Sequence, residues 1–352
     1  MNEVEANKSF DEKIEKYEEF VKNHELSDFQ QSAKWGKVKE FWKNEIVTAE
    51  DENGNIIATA SILIRKMSIF GNLMYIPRGP IGNVENEEVL RKITEKIREV
   101  AKKYKAFGVM IEPNIPANNE EFKKAAKNVG YQINSKAVNF EQSVQARFNF
   151  RLNLENKTEE EVFSGFASKT RYNVRVAMKN DVKVVQKGKE GLDEFYKLME
   201  ETGLRDHFIV RTKDYFEKVL DTFPEEVKIL IAYYNDKPIA TIAPILYGRK
   251  MWYLYGASGN EERNKMPTYL LQWEAIKIAL KNNCTIYDFR GVCMDKNGED
   301  GLFRYKKGFG GDLVELIGEI YLPVKPVKYA LFKFSKMLYI KLRNIKHWGL
   351  KK

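Results

Sequence analysis

The sequence predicts a mixed α/β protein built from two similar domains. Segments with helical periodicity alternate with segments rich in β-branched and aromatic residues, and one order of such segments occurs twice. The composition supports a folded chain, because 43% of the 352 residues are hydrophobic and 31% are charged. These values exclude the disordered, collagen-like and disulfide-rich classes and allow two hydrophobic cores.

The elements follow from local periodicity. Apolar residues recur every three to four positions in the predicted helices, which are Phe10–Val21, Val89–Tyr104, Glu120–Val129, Glu159–Phe166, Ser168–Lys179, Leu192–Thr202, Thr212–Phe223 and Pro267–Lys281. The predicted strands are Ile46–Ala49, Ile56–Lys66, Leu73–Pro77, Gly108–Glu112, Phe148–Leu154, Val182–Gln186, Val227–Tyr234, Ile239–Tyr247, Trp252–Tyr255, Thr285–Asp288 and Leu313–Leu322.

Two hairpins introduce the repeated order of elements. Their turns are Asn53-Gly54 and Asn235-Asp236, residue pairs that tolerate left-handed backbone angles. In both halves the hairpin is followed by a strand, a long helix, and a short buried strand that ends in an acidic residue, Glu112 or Asp288. We interpret this as a duplicated domain; the alternative is a chance recurrence of a common α/β order.

This order is also the core of the N-acyltransferase (GNAT) fold. Acyl-CoA enzymes of that fold hold the pyrophosphate with a glycine-rich loop at a helix N-terminus. The richest glycine cluster, Gly308–Gly311, has the wrong spacing for such a loop, so the donor is not expected to be held as CoA is. We expect one domain at 1–147, a second at 148–322, and a C-terminal helix at 323–352 packed on the first.

The net charge of +9 comes from the C-terminus. Val324–Lys352 contains nine Lys/Arg and no Asp or Glu, and the rest of the chain is balanced. A general nucleic-acid binder would carry its basic charge over the whole domain. The N-terminus has no apolar signal segment, and Cys284 and Cys293 form no motif, so we expect a cytoplasmic protein.

Few residues suggest metal or hydrolytic chemistry. The histidines His24, His207 and His347 form neither a metal pair nor a catalytic triad, so no metal or cofactor is expected. The helix Ser168–Lys179 ends in Lys179 and carries three further cations that suggest a phosphate-binding patch or, alternatively, a solvated face: Lys169, Arg171 and Arg175.

Several motifs together resemble the FemABX family, whose members are tRNA-dependent aminoacyltransferases that build peptidoglycan interpeptide bridges. The matching stretches are Gln31–Lys39, Ile111–Pro113, Ser168–Lys179, Arg211–Tyr215, Trp252–Ser258, Tyr287–Gly291 and Gly301–Glu319. The resemblance implies tandem GNAT-like domains. The connections between helices are too short for the coiled-coil arm of the larger members.

The resemblance implies transfer of an amino acid from aminoacyl-tRNA to the side-chain amine of a peptidoglycan precursor, either lipid II or UDP-MurNAc-pentapeptide. Two alternatives stay open: a GNAT-like N-acyltransferase that uses another donor such as acyl-CoA, and a non-enzymatic relative that binds tRNA or membranes. The absent CoA loop disfavours the first alternative, and the Tyr305-Lys306 and Arg211/Tyr215 set disfavours the second.

By the same resemblance, the acceptor pyrophosphate is bound by Arg211 and by Lys39, with Lys37 as a nearby alternative. Tyrosines are expected to line the acceptor site, namely Tyr215, Tyr253 and Tyr255. In the Tyr305-Lys306 pair, the lysine corresponds to one that stabilises the oxyanion in the family. If the match to the family motif is shifted by one or two residues, the corresponding cation is Arg304 or Lys307 instead. Glu112 corresponds to a candidate base, with a structural role equally open.

The C-terminal segment Val327–Ile345 forms an amphipathic pattern. One arc of the helical wheel is apolar and contains Leu331, Phe334, Met337, Leu338, Leu342 and Ile345. The lysines on the other arc suggest peripheral contact with an anionic membrane or with tRNA phosphates. The third interpretation is that the apolar side packs on the first domain.

Overall fold

A computed structural model describes residues 3–133, 144–294 and 301–335. The chain divides into two compact units. The first comprises Met1–Tyr17, Gln30–Lys136 and Glu319–Lys352, and the second comprises Glu18–Phe29 and Ala137–Gly318. The unit boundaries therefore differ from the expected 147 and 322, and residues 18–29 group with the second unit.

The helices are α1 (Glu3–Asn23), α2 (Trp35–Val38), α3 (Glu87–Lys103), α4 (Glu120–Val129), α5 (Glu159–Ser164), α6 (Ser168–Lys179), α7 (Leu192–Asp206), α8 (Lys213–Thr222), α9 (Pro267–Lys281) and α10 (Gly301–Lys307). The strands are β1 (Lys43–Glu50), β2 (Ile56–Met67), β3 (Gly71–Arg78), β4 (Ile81–Gly82), β5 (Ala106–Pro113), β6 (Gln132–Ile133), β7 (Phe148–Asn153), β8 (Lys183–Lys187), β9 (Ile229–Tyr234), β10 (Lys237–Tyr247), β11 (Lys250–Ser258), β12 (Ile286–Val292), β13 (Asp312–Glu315) and β14 (Ile320–Pro323). A further helical segment covers residues 326–335.

The first unit contains a sheet in the order β1-β2-β3-β5-β14-β6, with β4 paired to β2. Helix α3 begins where the Asn86 side chain accepts hydrogen bonds from the backbone of Glu88 and Val89. Its apolar stripe is buried, and Leu90 and Ile93 have no exposed surface. Gln31 ties the sheet to the preceding turn, because its amide donates to the Pro77 carbonyl and accepts from the Ser61 N–H.

The second unit contains a sheet in the order β13-β7-β12-β11-β10-β9-β8. Helix α9 has Pro267 in its first turn, where the missing N–H removes no hydrogen bond. The helix packs into the core beneath this sheet, and its side chains Leu271 and Ile276 are fully buried.

The predicted duplication is present in the topology. Each unit contains an antiparallel hairpin, a third strand, a long helix and a strand parallel to the third one. The two parallel pairs differ in length. In the first unit β3 and β5 stay paired from Asn72 to Arg78, whereas in the second unit β11 and β12 pair only from Lys250 to Trp252. Beyond Trp252 the second pair separates, which leaves an opening in that unit.

The predicted strand Leu313–Leu322 was wrong as a single element. Strand β13 pairs with β7 in the second unit, and β14 pairs with β5 and β6 in the first. Gly318 lies between them with a φ of 79°, a left-handed angle that glycine adopts without a steric penalty. Apolar residues lie on both sides of Gly318, so the composition of this stretch hides the change of sheet.

The segment 326–335 packs by a face other than the predicted arc. Tyr329 is buried with Leu73 and Phe107, and the rings of Phe332 and Phe107 are 5.0 Å apart. Leu331 and Phe334 are 57% and 61% exposed. Met337 and the rest of that arc lie outside the described residues. Within the described part of the chain, no helix is long and apolar enough to cross a bilayer.

Candidate active site

A cavity of about 800 Å³ lies in the second unit where β11 and β12 separate. Residues 253–258 of β11, residues 290 and 291 of β12, and residues of α10 line it. In the first unit β3 and β5 stay paired over this length, so β5 occupies the position that corresponds to the cavity. The cavity therefore results from the short β11–β12 pairing.

Lys306 is held at the wall of this cavity. Its side chain is buried, with 4% of its surface exposed, and Nζ donates a 2.8 Å hydrogen bond to the Gly291 carbonyl. The ammonium group also lies 5.7 Å from the centre of the Tyr253 ring. Arg304 and Lys307, the flanking cations, are exposed. A buried ammonium is stable only where such acceptors offset its lost hydration, so α10 presents a fixed positive charge to the cavity.

Tyr305 fixes α10 beside the cavity. Its hydroxyl donates a 2.9 Å hydrogen bond to the Thr268 carbonyl at the start of α9. Its ring packs against Tyr269 and Phe309, with ring centres 5.0 and 5.4 Å away. Burial raises the pKa of Tyr305 well above its usual value, so the hydroxyl remains a donor at neutral pH.

A second group of predicted residues extends from the lining of the same cavity. Tyr255 lines it, and its hydroxyl is 3.1 Å from that of Tyr215. The guanidinium carbon of Arg211 is 5.5 Å from the centre of the Tyr215 ring. Burial and the neighbouring Tyr215 raise the pKa of Tyr255, and burial raises that of Tyr253 to about 12. The cavity thus presents neutral phenols next to cations.

Gly256 sets the position of Tyr253. A Cβ atom on Gly256 would lie 2.1 Å from the Tyr253 hydroxyl, which no side chain could tolerate without moving the ring. The glycine in the Trp252–Ser258 motif therefore allows the tyrosine to lie close along β11.

Two residues of the site were missed by sequence reasoning. Arg290 lines the cavity, has a φ of 63°, and donates from Nη2 to the Gln145 side chain over 3.2 Å. Asp288 accepts from the Arg290 N–H at 2.6 Å and from Arg151 Nε at 2.9 Å. Burial raises the pKa of Asp288, but the charges of Arg151 and Arg290 outweigh burial and hold it below its usual value. The Tyr287–Gly291 motif was the signal that could have identified both.

Lys39 and Glu112 belong to the first unit. Lys39 follows α2 and places its ammonium 4.5 Å from the Trp35 ring centre, whereas Lys37 is exposed. Glu112 is fully buried at the end of β5, and its Oε2 accepts a 2.5 Å hydrogen bond from the Tyr75 hydroxyl. The other predicted catalytic and acceptor-binding residues, Arg211, Tyr215, Tyr253, Tyr255, Tyr305 and Lys306, all belong to the second unit.

Helix α6 has the predicted bounds and a mixed surface. Lys169 and Arg175 are exposed, with the 66%-exposed ring of Tyr172 between them. Arg171 instead turns back, and its guanidinium donates to the Ser164 carbonyl over 2.9 Å and to that of Phe166, which terminates α5. The Ala167 N–H donates to the Gly308 carbonyl at 2.8 Å, which joins the start of α6 to the end of α10.

No metal site accompanies these groups. Across residues 3–133, 144–294 and 301–335, no cluster of His, Cys, Asp and Glu side chains could hold a metal ion.

Comparison with known proteins identifies the family. The sequence model of the FemAB family matches residues 13–238 and 234–337. The chain belongs to the FemAB family. The FemABX resemblance is therefore confirmed.

The FemAB relatives are aminoacyltransferases. A UDP-N-acetylmuramoylpentapeptide-lysine N(6)-alanyltransferase of Weissella viridescens is 28% identical over 90% of this chain and 95% of its own. A lipid II:glycine glycyltransferase of Staphylococcus epidermidis is 26% identical over 92% of this chain and 95% of its own. The similarity extends over nearly the full length of both proteins.

Solved structures confirm the tandem GNAT-like fold. A crystal structure of FemX covers 90% of this chain and 98% of its own, with a TM-score of 0.85 and 24% identity. A tandem GNAT protein from the clavulanic acid biosynthesis pathway covers 89% and 95%, with a TM-score of 0.54 and 8% identity. At these identities the likeness concerns the fold.

Proposed function

We propose that this FemAB protein transfers an amino acid from aminoacyl-tRNA to the side-chain amine of a peptidoglycan precursor, as in interpeptide bridge formation. The observation that carries the proposal is the buried Lys306 at the wall of the β11–β12 cavity. Named activities of the two relatives supply the reaction class, and the tyrosine-lined cavity offers a place for the reacting groups.

The reaction replaces an ester bond with an amide bond. The acceptor amine attacks the ester carbonyl, the C–N bond forms, and the bond to the 3′-terminal ribose oxygen breaks. One amine proton leaves with that ribose oxygen, so the atoms balance without a further reactant. The carbonyl oxygen becomes negative in the tetrahedral state, and Lys306 is the group that would stabilise this charge. Loss of one such donor typically costs about 10²–10³-fold in kcat.

The acceptor would be held by cations and phenols. Arg211 and Lys39 would bind its pyrophosphate, since a guanidinium or ammonium pairs strongly with phosphate oxygens. Tyr215, Tyr253 and Tyr255 would contact sugar and peptide groups with flat rings and polar hydroxyl groups. Glu112 would act either as the base for the incoming amine or as structural support through Tyr75.

The donor would approach along α6. Lys169 and Arg175 offer phosphate contacts, and the exposed Tyr172 between them offers a surface on which an unpaired base can stack. The hydrogen bond from the Ala167 N–H to the Gly308 carbonyl fixes the start of this helix near Lys306, which lies two residues before Gly308 in the chain. Because charged tRNA is cytoplasmic, the enzyme would act in the cytoplasm.

Peripheral membrane contact is part of the proposal. The exposed side chains of Val327, Leu331 and Phe334 recur at helical spacing, on the face opposite the packed Tyr329. Lys328 and Lys333 are exposed at the borders of this face. An apolar stripe flanked by lysines is typical of helices that lie on anionic bilayers.

A transfer assay tests the function directly. The protein is incubated with a mixture of charged tRNAs and either a UDP-MurNAc-pentapeptide or lipid II, and the acceptor is analysed by mass spectrometry. We expect an adduct with the mass of one amino acid that requires the charged tRNA. Absence of any adduct, together with acyl transfer from acyl-CoA to an amine, would overturn the proposal.

A further inference from the structure

Three connections of the first unit meet at one edge of its sheet. Strand β2 ends and β3 begins there, with Met67 paired to Gly71. Because β5 is parallel to β3 and β14 is antiparallel to β5, the start of β5 and the end of β14 lie at the same edge. The Lys325 N–H donates to the Phe107 carbonyl over 2.8 Å, just before the segment 326–335 begins. The strand register therefore brings three stretches together: 65–71, 102–107 and 323–335.

Apolar side chains are exposed at this edge. Ile69, in the turn between β2 and β3, is 86% exposed. On the segment 326–335, Val327 is 75% exposed, and Leu331 and Phe334 are exposed as well. Single apolar residues on a surface are ordinary, but several at one edge of a sheet indicate an interaction surface.

The same edge is basic and contains no acidic residue in its three stretches. Its exposed cations are Arg65, Lys66, Lys105, Lys325, Lys328 and Lys333. Among the described residues, none of these six forms an ion pair with a carboxylate, whereas the nearby Lys103 pairs with Glu45 over 2.7 Å. Grouped cations without carboxylate partners produce a local positive potential that attracts anions.

A cavity of about 340 Å³ lies at this edge. It is lined by Arg65, Lys66, Met67, Phe70 and Phe332. The ring centres of Phe70 and Phe332 are 5.6 Å apart, so the cavity lies between the β2–β3 turn and the segment 326–335. Its volume is at the low end of the ~300–1,000 Å³ that is usual for ligand pockets. Two cations therefore adjoin a wall made of a thioether and two aromatic rings.

This lining suits a ligand that is both anionic and apolar. The guanidinium carbon of Arg65 lies 5.5 Å from the centre of the Trp42 ring, and such stacking leaves the N–H groups at the guanidinium edge available to an acceptor. Inorganic phosphate or a nucleic-acid phosphate would use the cations but not Met67, Phe70 or Phe332. A phospholipid uses both parts, because its phosphate is negatively charged and its acyl chains are apolar.

We propose that this cavity binds one anionic phospholipid at the bilayer surface. The lipid phosphate contacts Arg65 and Lys66. The first part of an acyl chain lies against Phe70 and Phe332, and Ile69 inserts among the headgroups. The inference extends the membrane contact of the proposed function from the C-terminal segment to a lipid site at the β2–β3 turn, and it is independent of the transfer reaction.

Calorimetry with a monomeric lipid tests the cavity. The probe is dihexanoyl phosphatidylglycerol below its critical micelle concentration, and inorganic phosphate is the comparison ligand. We expect one lipid to bind per chain and phosphate to bind at least about tenfold more weakly, since phosphate makes no apolar contact. Arg65→Glu/Lys66→Glu should weaken lipid binding by at least about tenfold. Lys124→Glu/Lys127→Glu has the same charge change at exposed positions of α4 in the same unit and should bind normally.

Vesicle sedimentation relates the cavity to the bilayer. The vesicles are phosphatidylcholine with and without phosphatidylglycerol. We expect the unaltered protein and the α4 control to sediment with the anionic vesicles, and Arg65→Glu/Lys66→Glu to lose at least about tenfold in partitioning. Ile69→Ser keeps every charge, changes a side chain that lies outside the core, and should weaken partitioning by at least about threefold. A thermal melt of each variant checks that it is folded.

Several results would overturn the inference. They are phosphate binding as tight as lipid binding, equal losses in the two charge-reversed variants, full partitioning of Ile69→Ser, and a loss of tRNA binding in Arg65→Glu/Lys66→Glu while its vesicle binding is retained. Failure of the amino-acid transfer assay with lipid binding intact would instead overturn the proposed function and leave this inference standing.

Discussion

The environment of Lys306 separates it from the cations on either side. Lys306 is buried and bonded to Gly291, whereas Lys307 is exposed one position further along α10. A charge that is fixed and poorly hydrated stabilises a developing oxyanion better than a solvated one, because it needs no reorganisation during the reaction. The proposed oxyanion role therefore belongs to Lys306 and not to the net charge of the helix.

Replacement of Lys306 tests this role. We expect Lys306→Met to lower kcat by about 10²-fold or more, since methionine retains the packing volume and removes the charge. Lys307→Met is the matched control and should retain activity within about twofold. Steady-state kinetics and a thermal melt of each variant check the result. Equal rates for Lys306→Met and the unaltered protein would exclude the oxyanion role.

The Asp288 carboxylate makes the stability of the fold depend on pH. The carboxylate accepts from Arg151 and from the Arg290 backbone, so its pKa is below the usual value in the folded state. A carboxylate with a depressed pKa stabilises the fold above its unfolded pKa, near 3.9, and loses this contribution as the pH falls through the folded value. The contribution is therefore complete at neutral pH.

We expect Asp288→Asn to lower the free energy of unfolding by about 2–3 kcal/mol at pH 7, because it leaves Arg151 without its carboxylate. The difference from the unaltered protein should stay constant down to about pH 5 and shrink below about pH 4, because the unfolded chain then binds a proton that the native carboxylate does not. Urea unfolding at several pH values measures this. A deficit that does not change with pH would contradict the assigned cause.

At the scale of elements, α6 combines three functions in one helix. Its first turn is tied to Gly308, its Arg171 terminates α5, and its exposed face carries Lys169 and Arg175 around Tyr172. The sequence shows the cations but not which of them turns back to the protein. Of the three predicted cations, Lys169 and Arg175 are exposed, and the guanidinium carbon of Arg175 is 5.2 Å from the centre of the Phe163 ring.

A charge-reversal pair tests α6. We expect Lys169→Glu/Arg175→Glu to weaken binding of charged tRNA by at least about tenfold and to reduce the slope of binding against log salt concentration by about two. The double variant Lys237→Glu/Lys281→Glu has the same change in net charge at exposed positions of the same unit and should bind nearly normally. Filter binding at several salt concentrations decides between them. Equal losses in both variants would show that only net charge matters.

The segment 326–335 has two apolar faces, one packed and one exposed. Tyr329 and Phe332 pack within the first unit, and Leu331 and Phe334 are exposed. We expect Leu331→Ser/Phe334→Ser to weaken partitioning onto anionic vesicles and to leave the melting temperature within about 2 °C.

The complementary variant Tyr329→Ser/Phe332→Ser should lower the melting temperature, because it removes two packed rings. Vesicle sedimentation and calorimetry separate the two effects. Unchanged partitioning of Leu331→Ser/Phe334→Ser would exclude this face as the membrane contact.

At the scale of the whole molecule, the two units share a topology but not a cavity. Seven residues of β3 pair with β5 in the first unit, while three pairs join β11 and β12 in the second. Two units with the same topology can thus differ at the same place: the second has a cavity between its parallel strands, and the first has a fully paired strand that contains the buried Glu112. The difference depends on a few backbone hydrogen bonds between strands, which the amino-acid composition does not reveal.

The sequence by itself determined the class of elements, the duplicated order and the family, because periodicity and spaced motifs are local properties. It also proposed Lys306, Tyr305 and Arg211 as candidate site residues, since each lies within a recognisable motif. The choice among Arg304, Lys306 and Lys307 as the buried cation depended on the residues that pack against α10.

Only the tertiary structure decided where the cavity opens, how the stretch 313–322 divides between two sheets, and which face of the segment 326–335 is packed. It also decided the roles of Arg171, Asp288 and Arg290. The physical reason is common to all of these features. Burial, strand pairing and hydrogen bonding depend on residues that are distant in sequence, so no local pattern encodes them.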